Sequence, residues 1–488
     1  MGSCPVQHPK KRWSGRQARD PGSTGAQRTT AIAGFLHHEP YGDSAAIYTI
    51  MKIAFVNSQQ DKAGQNIRHH LEQLLDDPAG TWQRPDRTYT FHETEERLIH
   101  AEGIDRQMDA DLIIFISRHA STKPVPVLTV HVTGNYRAAE LGGTPGTLTP
   151  TSPAMMQAVL RSLARHCPEG YQVAYEVTHH GPTDLSLPSF FVEIGSTEKE
   201  WTDPVAGRAA AESVLSATTI NAIPLIGFGG THYAVRETEI ALTTRGAFGH
   251  IAHTREVPAI SSEMIRRMQE LSGAVAAYID RKALDREDLN RLVSLLDGIS
   301  LPRLSESEIT AIGNLSWERY LAVREMAESV IPGARCYVHG LEDAPGPLAI
   351  IRVNPSLIAE TAKSDEPGLI SDLDNLPVVH LSTQNNRLLA DFITNQKDSP
   401  QIINDLNTLC VKIIRNKEIT ATEKDHLIIS KVRFDPHKAR NLGVSPGPCY
   451  QQLASGQPIT IDGREITPDM VSSCSETKIH IPGLEKYL

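Results

Sequence analysis

Four runs of this chain are apolar almost without a break: DLIIFIS (111–117), VPVLTVHV (125–132), SFFVEIG (189–195) and IPLIGFG (223–229). A strand with one wet face alternates apolar and polar side chains, so strands that do not alternate are covered on both faces. KIAFVN after Met51 and YQVAYEV (171–177) repeat the pattern. Helical periodicity fills the gaps. Ile67, Leu71, Leu74 and Leu75 mark one face of a helix over 63–75. Ser152-Pro153 opens a helix through His166, and Asp203-Pro204 caps another through Leu215. Strands alternating with helices predict an α/β sandwich with a largely parallel or mixed sheet. Ligands of such sheets bind beyond the carboxyl ends of the strands.

At 488 residues the chain exceeds one ordinary core. The first fifty residues are basic, rich in Gly, Ser and Pro, and lack hydrophobic period. A targeting peptide, a disordered arm and sequence upstream of the natural start compete for them, and the strand opening at Met51 favours the last. Residues 51–301 read as the catalytic domain, with helices expected over 262–282 and 286–296. Residues 302–332 read as a helical connector and 333–488 as an α+β accessory domain. No apolar run approaches the ~20 residues that span a bilayer. The six cysteines form no CxxC pair, which argues against a thiolate zinc site and fits a reducing cytoplasm. A formal charge of -10 neither supports nor forbids nucleic-acid binding, which needs only a local basic face.

The stretch EVTHHGPTDLSLPSFFVEIGSTEKEW, from Glu176, gathers Glu176, His179, His180, Asp184 and Glu193. Gly181 and Pro182 forbid a continuing helix, so the histidine pair is expected where a strand runs out into a loop. His119, His131, His232, His250 and His253 follow or end other strands, which predicts convergence on one pocket. Two uses are open. Imidazoles with Glu176, Glu193 or Glu140 could hold one or two zinc ions, or a histidine could act as general base without metal. HExxH and GxSxG are absent. In GFGGTHY, the amides of Gly229 and Gly230 are candidate oxyanion donors, and Tyr233 and Arg236 candidate contacts to a phosphate or terminal base. Trp201 reads as a core anchor rather than a stacking platform.

These motifs, together with MKIAFVNSQQDKAGQNI at Met51, SRHAS at Ser117, HVTGN at His131, GG at Gly142, GFGGTHYAVR at Gly227 and GHIAH at Gly249, resemble the archaeal and plant type of D-aminoacyl-tRNA deacylase. The resemblance runs in order from Met51 to about Leu301; the C-terminal part is similar to the extension of longer archaeal members. It implies a three-layer α/β sandwich with a mixed sheet of the phosphorylase/hydrolase kind, similar to peptidyl-tRNA hydrolase. It implies zinc, up to two ions, and hydrolysis of the ester that joins a D-amino acid to the 3′ end of tRNA, including D-amino acids modified by small aldehydes. Carried onto this chain, it suggests His180, His179 and Glu176 with Gly229 and Gly230 for catalysis. His119, Asn135, Thr178, Tyr233 and Arg236 would bind substrate, and His131, His179, Glu193, His232 and His250 the metal. The expected partner is the 3′ acceptor end of D-aminoacyl-tRNA, met by a cytoplasmic monomer without a membrane anchor. Two rivals stand beside it: a zinc-dependent hydrolase or phosphorylase of a small nucleoside or peptide, and a non-catalytic tRNA-binding protein.

Overall fold

The computed structural model describes residues 50–488 except 122, 123, 342 and 345. The expectation for the first fifty residues lies, but for Ile50, outside the described residues. The architecture is mixed α/β, with several sheets and helices.

Two sheets position the site. The first has six strands: β1 (Met51–Ser58), β2 (Arg87–Thr94), β3 (Leu112–Ala120), β4 (Val127–His131), β5 (Gln172–Tyr175) and β6 (Ser189–Ser196), in the order β2-β1-β3-β6-β4-β5. Every pairing is parallel except β4 with β6. The second is a parallel sheet of β7 (Ile223–Phe228), β8 (Gly246–Ala252) and β9 (Ala276–Ile279), in the order β8-β7-β9. The chain beyond β5 joins the two. The amide of Val177 donates to the carbonyl of His232 (3.0 Å), that of Ala234 to Tyr175 (3.0 Å) and that of Thr178 to Ile251 (2.8 Å). Glu176 and the histidine pair therefore leave β5 at the seam between the sheets.

Helix α1 (Lys62–Leu75) starts where Asp61 accepts the amide of Gly64, and it buries Ile67, Leu71 and Leu74. Each such side chain contributes about 1.5–3 kcal/mol on burial. With α2 (Pro153–His166) and the helix Pro204–Ser216, α1 covers one face of the six-stranded sheet over a single core. On the other face Ala54, Val56, Ile113, Phe115 and Phe191 pack against Leu98 and Leu185 from short turns and loops.

Three features depart from the sequence reading. The helix expected over 262–282 spans Ser262–Ser272 only: Gly273 adopts φ 58 and caps it, and the apolar run that follows becomes β9. The strands β2 and β8 were not expected. β2 is half exposed and lies at the sheet edge, and β8 (GAFGHIA) carries two glycines. Residues 302–332, expected as a helical connector, do form helices, Glu306–Ala311 and Trp317–Val330, but Ile309, Tyr320 and Val323 on them join the main core. Beyond them a four-stranded antiparallel sheet packs against helices Pro355–Leu373 and Ser399–Lys417, and Ile419–Glu423, His426–Phe434 and Ser472–His480 form a three-stranded one. Among the described residues no helix is long and apolar enough to cross a membrane.

Candidate metal centre

Register brings the first donors together. On β6, Glu193 stands between Ser117 of β3 and Thr129 of β4, two residues from the pairings of His119 with Gly195 and of His131 with Phe191. Gly195 is required there, because an added Cβ would stand 2.7 Å from Cδ2 of His119 and 2.9 Å from its Cβ. The remaining donors come from the seam. His180 adopts φ 50, a conformation that costs energy for a residue with a side chain and that recurs at functional sites.

The ring centre of His179 lies 4.4 Å from that of His180, 4.6 Å from His131 and 4.9 Å from His232, which is 5.2 Å from His119. Glu176 sits among them, fully buried: Oε1 is 3.1 Å from Nδ1 of His119, and Oε2 is 2.8 Å from Nε2 of His232 and 3.6 Å from Nε2 of His179. Glu193 lies 3.6 Å from Nε2 of His131 and 3.7 Å from Nδ1 of His119. Donor atoms of three overlapping triads, His131/His179/His180, His119/Glu176/His232 and His131/Glu176/Glu193, lie within 4.8 Å of one another.

Two observations fit a cation between these groups. First, both oxygens of Glu176 and Nε2 of His131 are buried without a hydrogen bond, despite the short separations. Second, Nδ1–H of His179 donates to the carbonyl of Val177 (2.7 Å), that of His180 to Gly181 (2.6 Å) and that of His131 to Val132 (3.3 Å). A main-chain acceptor on Nδ1 turns the Nε2 lone pair toward the centre, the usual support of a metal-binding imidazole.

The electrostatics agree. Burial, then repulsion from neighbouring imidazoles, holds His179 well below its ordinary value and His180 down to about 4, so both rings are neutral at pH 7. Burial would also lower His119, but the carboxylates of Glu176 and Glu193 override it and raise that ring to about 11. The same contest raises His131. Glu176 and Glu193 themselves are held below the ordinary range: desolvation opposes, and the histidines win. Two buried carboxylates thus demand positive charge, which protons or a divalent ion can supply.

Around this centre are two cavities that share Leu141, His179, His180 and His232. One of about 190 Å³ is lined by Asp61, Ser117, His119 and Glu193; one of about 430 Å³ by Asn135, Tyr136, Arg137, His253 and Arg255. Tyr233 reaches in from the second sheet, its hydroxyl 3.0 Å from Nε2 of His119.

Five sequence candidates take other places. His250 lies inside β8 with both nitrogens engaged, Nδ1 with Thr178 Oγ1 (3.2 Å) and Nε2 with the carbonyl of Thr149 (2.9 Å), so no lone pair faces the centre. Gly229 cannot offer its amide to an oxyanion, because β7 pairing continues one residue further and spends it on Ala252 (2.9 Å). Gly230 accepts from Thr254, and neither glycine lines the two cavities. Glu140 is exposed and belongs to none of the donor triads. Arg236 is tied to Glu239 and Glu306 and lines a different cavity. Asn135 and Thr178 line the larger cavity but are committed to structure: Asn135 Nδ2 to the carbonyl of Gly142 (3.0 Å), Thr178 Oγ1 to the amide of Ile251 (3.1 Å).

One buried acid was missed. Asp61 follows β1, accepts from Ser117 Oγ (2.9 Å), the Arg118 amide (3.0 Å) and the Gly64 amide (3.0 Å), and lines the smaller cavity. Burial raises its carboxyl, with the hydrogen bonds opposing. Its place three residues past the end of β1 is the same strand-end signal that marks the histidines.

Known proteins share this arrangement of sequence. A family model described as D-aminoacyl-tRNA deacylase matches residues 106–303. A D-aminoacyl-tRNA deacylase of Methanoregula boonei is 59% identical over 438 residues, 90% of this chain and 100% of that protein. One of Methanoculleus marisnigri is 53% identical over 439 residues, again 90% and 100%. A crystal structure of a conserved protein of unknown function is 33% identical, covering 54% of this chain and 97% of its own, with a TM-score of 0.49. By its likeness to relatives matched along their entire length, the chain belongs to the D-aminoacyl-tRNA deacylase family.

Proposed function

We propose that this protein hydrolyses the ester of D-aminoacyl-tRNA, releasing the D-amino acid and reusable tRNA, at a zinc centre between the two sheets. The observation that carries the reading is the convergence of His119, His131, His179, His180 and His232 on the buried pair Glu176 and Glu193. His131, His179 and His180 would hold one ion, and His119, Glu176 and His232 a second, with Glu193 beside both. When bound, zinc would supply Lewis acidity toward water and the ester carbonyl.

The chain's own groups do the rest. An aminoacyl ester is already activated, so a positioned water and a base suffice. His179 and His180 keep neutral rings, so their Nε2 lone pairs stay available to hold the ion, and Glu193, which lines the smaller cavity beside them, can take the proton of the attacking water. Glu176, shared by His119 and His232, fixes their orientation. Tyr233, linked to His119, orients the acyl end, and the two cavities on either side of the histidines support separate seats for the aminoacyl group and the terminal adenosine. Selection of the D form is a matter of shape: an L side chain would be driven into the wall. The core is read as a three-layer sandwich of the phosphorylase/hydrolase kind over residues 51–301, with 333–488 as an accessory domain. The substrate supports a cytoplasmic site of action, and the protein is read as a monomer.

The deciding experiment compares D-tyrosyl-tRNA with L-tyrosyl-tRNA, before and after chelation. The expected result is cleavage of the D ester alone, lost on chelation and restored by zinc. Undiminished turnover in chelator removes the metal from the mechanism, and equal cleavage of both esters removes the chiral assignment.

A further inference from the structure

We propose that the groove beyond the carboxyl ends of β7 and β9 carries the phosphate backbone of the RNA strand leading to the 3′ ester, a proposal that rests on the ester-hydrolase reading above. Because β7 and β9 are parallel neighbours, their outgoing loops leave the same edge of the sheet. The loop after β7 carries His232 and Tyr233 into the metal centre. The turn after β9 is built tightly against it. The Asp280 amide donates to the carbonyl of Phe228 (2.8 Å), the Ala283 amide to that of Asp280 (3.1 Å), and the Lys282 amide to Asp280 Oδ1 (3.2 Å). An added Cβ on Gly229 would stand 3.1 Å from Asp280. Arg281 and Lys282 are thus held at a fixed place, three loop residues from the site.

Both side chains are exposed, and neither has an ion-pair partner among the described residues. They border a cavity of about 510 Å³ that also takes Arg236 and Arg303, which are already ion-paired, the first with Glu239 and Glu306 and the second with Asp297. A second cavity, of about 380 Å³, shares Arg281 and continues the track to Arg324 and Arg335. Along the track Arg281, Lys282, Arg324 and Arg335 have no ion-pair partner among the described residues and stand against the carboxylates Asp280, Glu308 and Glu328, a local cationic excess in a chain whose formal charge is -10. A polyanion is the partner this charge fits. The only polyanion that must lie beside an aminoacyl-tRNA ester is the nucleic acid itself.

The test uses the full chain, the double variants Arg281→Ala/Lys282→Ala and Arg281→Glu/Lys282→Glu, and two substrates, D-tyrosyl-tRNA and D-tyrosyl-adenosine. Loss of two single-strand phosphate contacts should lower the slope of log affinity against log salt by about 1.4. KM for D-tyrosyl-tRNA should rise about tenfold or more at physiological salt with kcat held, while kinetics on D-tyrosyl-adenosine stay at wild type. An unchanged salt slope and KM overturn the proposal, as does an equal loss on both substrates in both variants. Binding of uncharged tRNA, measured in parallel, reads the groove independently of hydrolysis. Failure of the wild type to cleave D-tyrosyl-tRNA therefore speaks against the ester-hydrolase reading, and failure of the salt response against the groove.

Discussion

The indole Nε1–H of Trp201 donates at 2.9 Å to the main-chain carbonyl of His119, the residue whose Nδ1 faces Glu176. Arg118 lies over the same indole at 5.2 Å. Trp201 packs partly buried against the main core, so it both fills space and braces a donor of the candidate centre. Trp201→Phe keeps most of the packing and deletes the brace. It should cost about 1 kcal/mol of stability. Loosening His119 should lower kcat about threefold to tenfold, since small misplacements are expensive in catalysis. Urea midpoints and steady-state deacylation measure the two effects, and a wild-type kcat would reduce Trp201 to a packing residue.

His180 and His250 are both buried and both held near a pKa of about 4, yet they should respond oppositely to removal. His180→Ala removes a ring that points into the donor cluster, and turnover should fall by about 10²–10⁴ with tRNA binding nearly intact. His250→Ala leaves the Thr149 carbonyl without its partner and takes one of two partners from the Thr178 hydroxyl, which keeps the Ile251 amide. That should cost roughly 2–4 kcal/mol of stability while zinc content per folded molecule stays level. Elemental analysis on the folded fraction separates the two; zinc loss in the His250 variant would return that residue to the metal centre.

Glu176 and Glu193 are both buried among the histidines, where desolvation raises each carboxyl and the histidines outweigh it. An ion between them relieves that penalty, so binding should stabilise the fold by about 2.7 kcal/mol at a hundredfold excess over Kd. Glu176→Gln keeps the shape and removes one charge. Its zinc affinity should drop by at least tenfold to a hundredfold, read by competition with a chromophoric chelator. Its Tm should also lose most of its dependence on added zinc. A variant that binds zinc as tightly as wild type would mean Glu176 is not a ligand.

How much of this was legible from sequence depends on whether the signal is local. Ser152-Pro153 and Asp203-Pro204 mark helix starts, both by proline in the first turn and the second also by its aspartate cap, and the helices begin there. The unbroken apolar runs became the inner strands. Non-local decisions were hidden. GAFGHIA forms β8 because Gly249 lets Ser272 approach, an added Cβ standing 2.3 Å from its Oγ, and no local pattern announces that contact. The error propagated: His250 looked like a strand-end residue and lies mid-strand. The five converging histidines were visible because each follows or ends a run strong enough to stand alone. Gly229 was misread because its amide is spent on Ala252, in a strand the sequence did not reveal.

Glu237, in the first turn of helix Val235–Thr243, is fully buried with neither carboxyl oxygen hydrogen-bonded. It lies beneath the loop that carries His232: an added Cβ on Gly227 would stand 3.3 Å from its Cγ, and one on Gly230 3.8 Å from its Oε2. Burial, with Asp280 adding to it against the helix amide and Arg236, pushes its pKa from 4.5 to about 8. Below pH 4.5 folded and unfolded chains both hold the proton. Between 4.5 and 8 the unfolded chain releases it first, so stability falls as pH rises. Above 8 the full penalty is in place, on the order of 3–5 kcal/mol at most. Glu237→Gln should therefore gain stability over wild type at pH 9 and change little at pH 4.5, in urea unfolding at both values. The gain should extend to function, because a neutral amide under Gly230 keeps the His232 loop seated at a pH where the carboxylate would push toward solvent. Equal pH dependence in both proteins would show that the Glu237 carboxyl is hydrated and does not govern the loop.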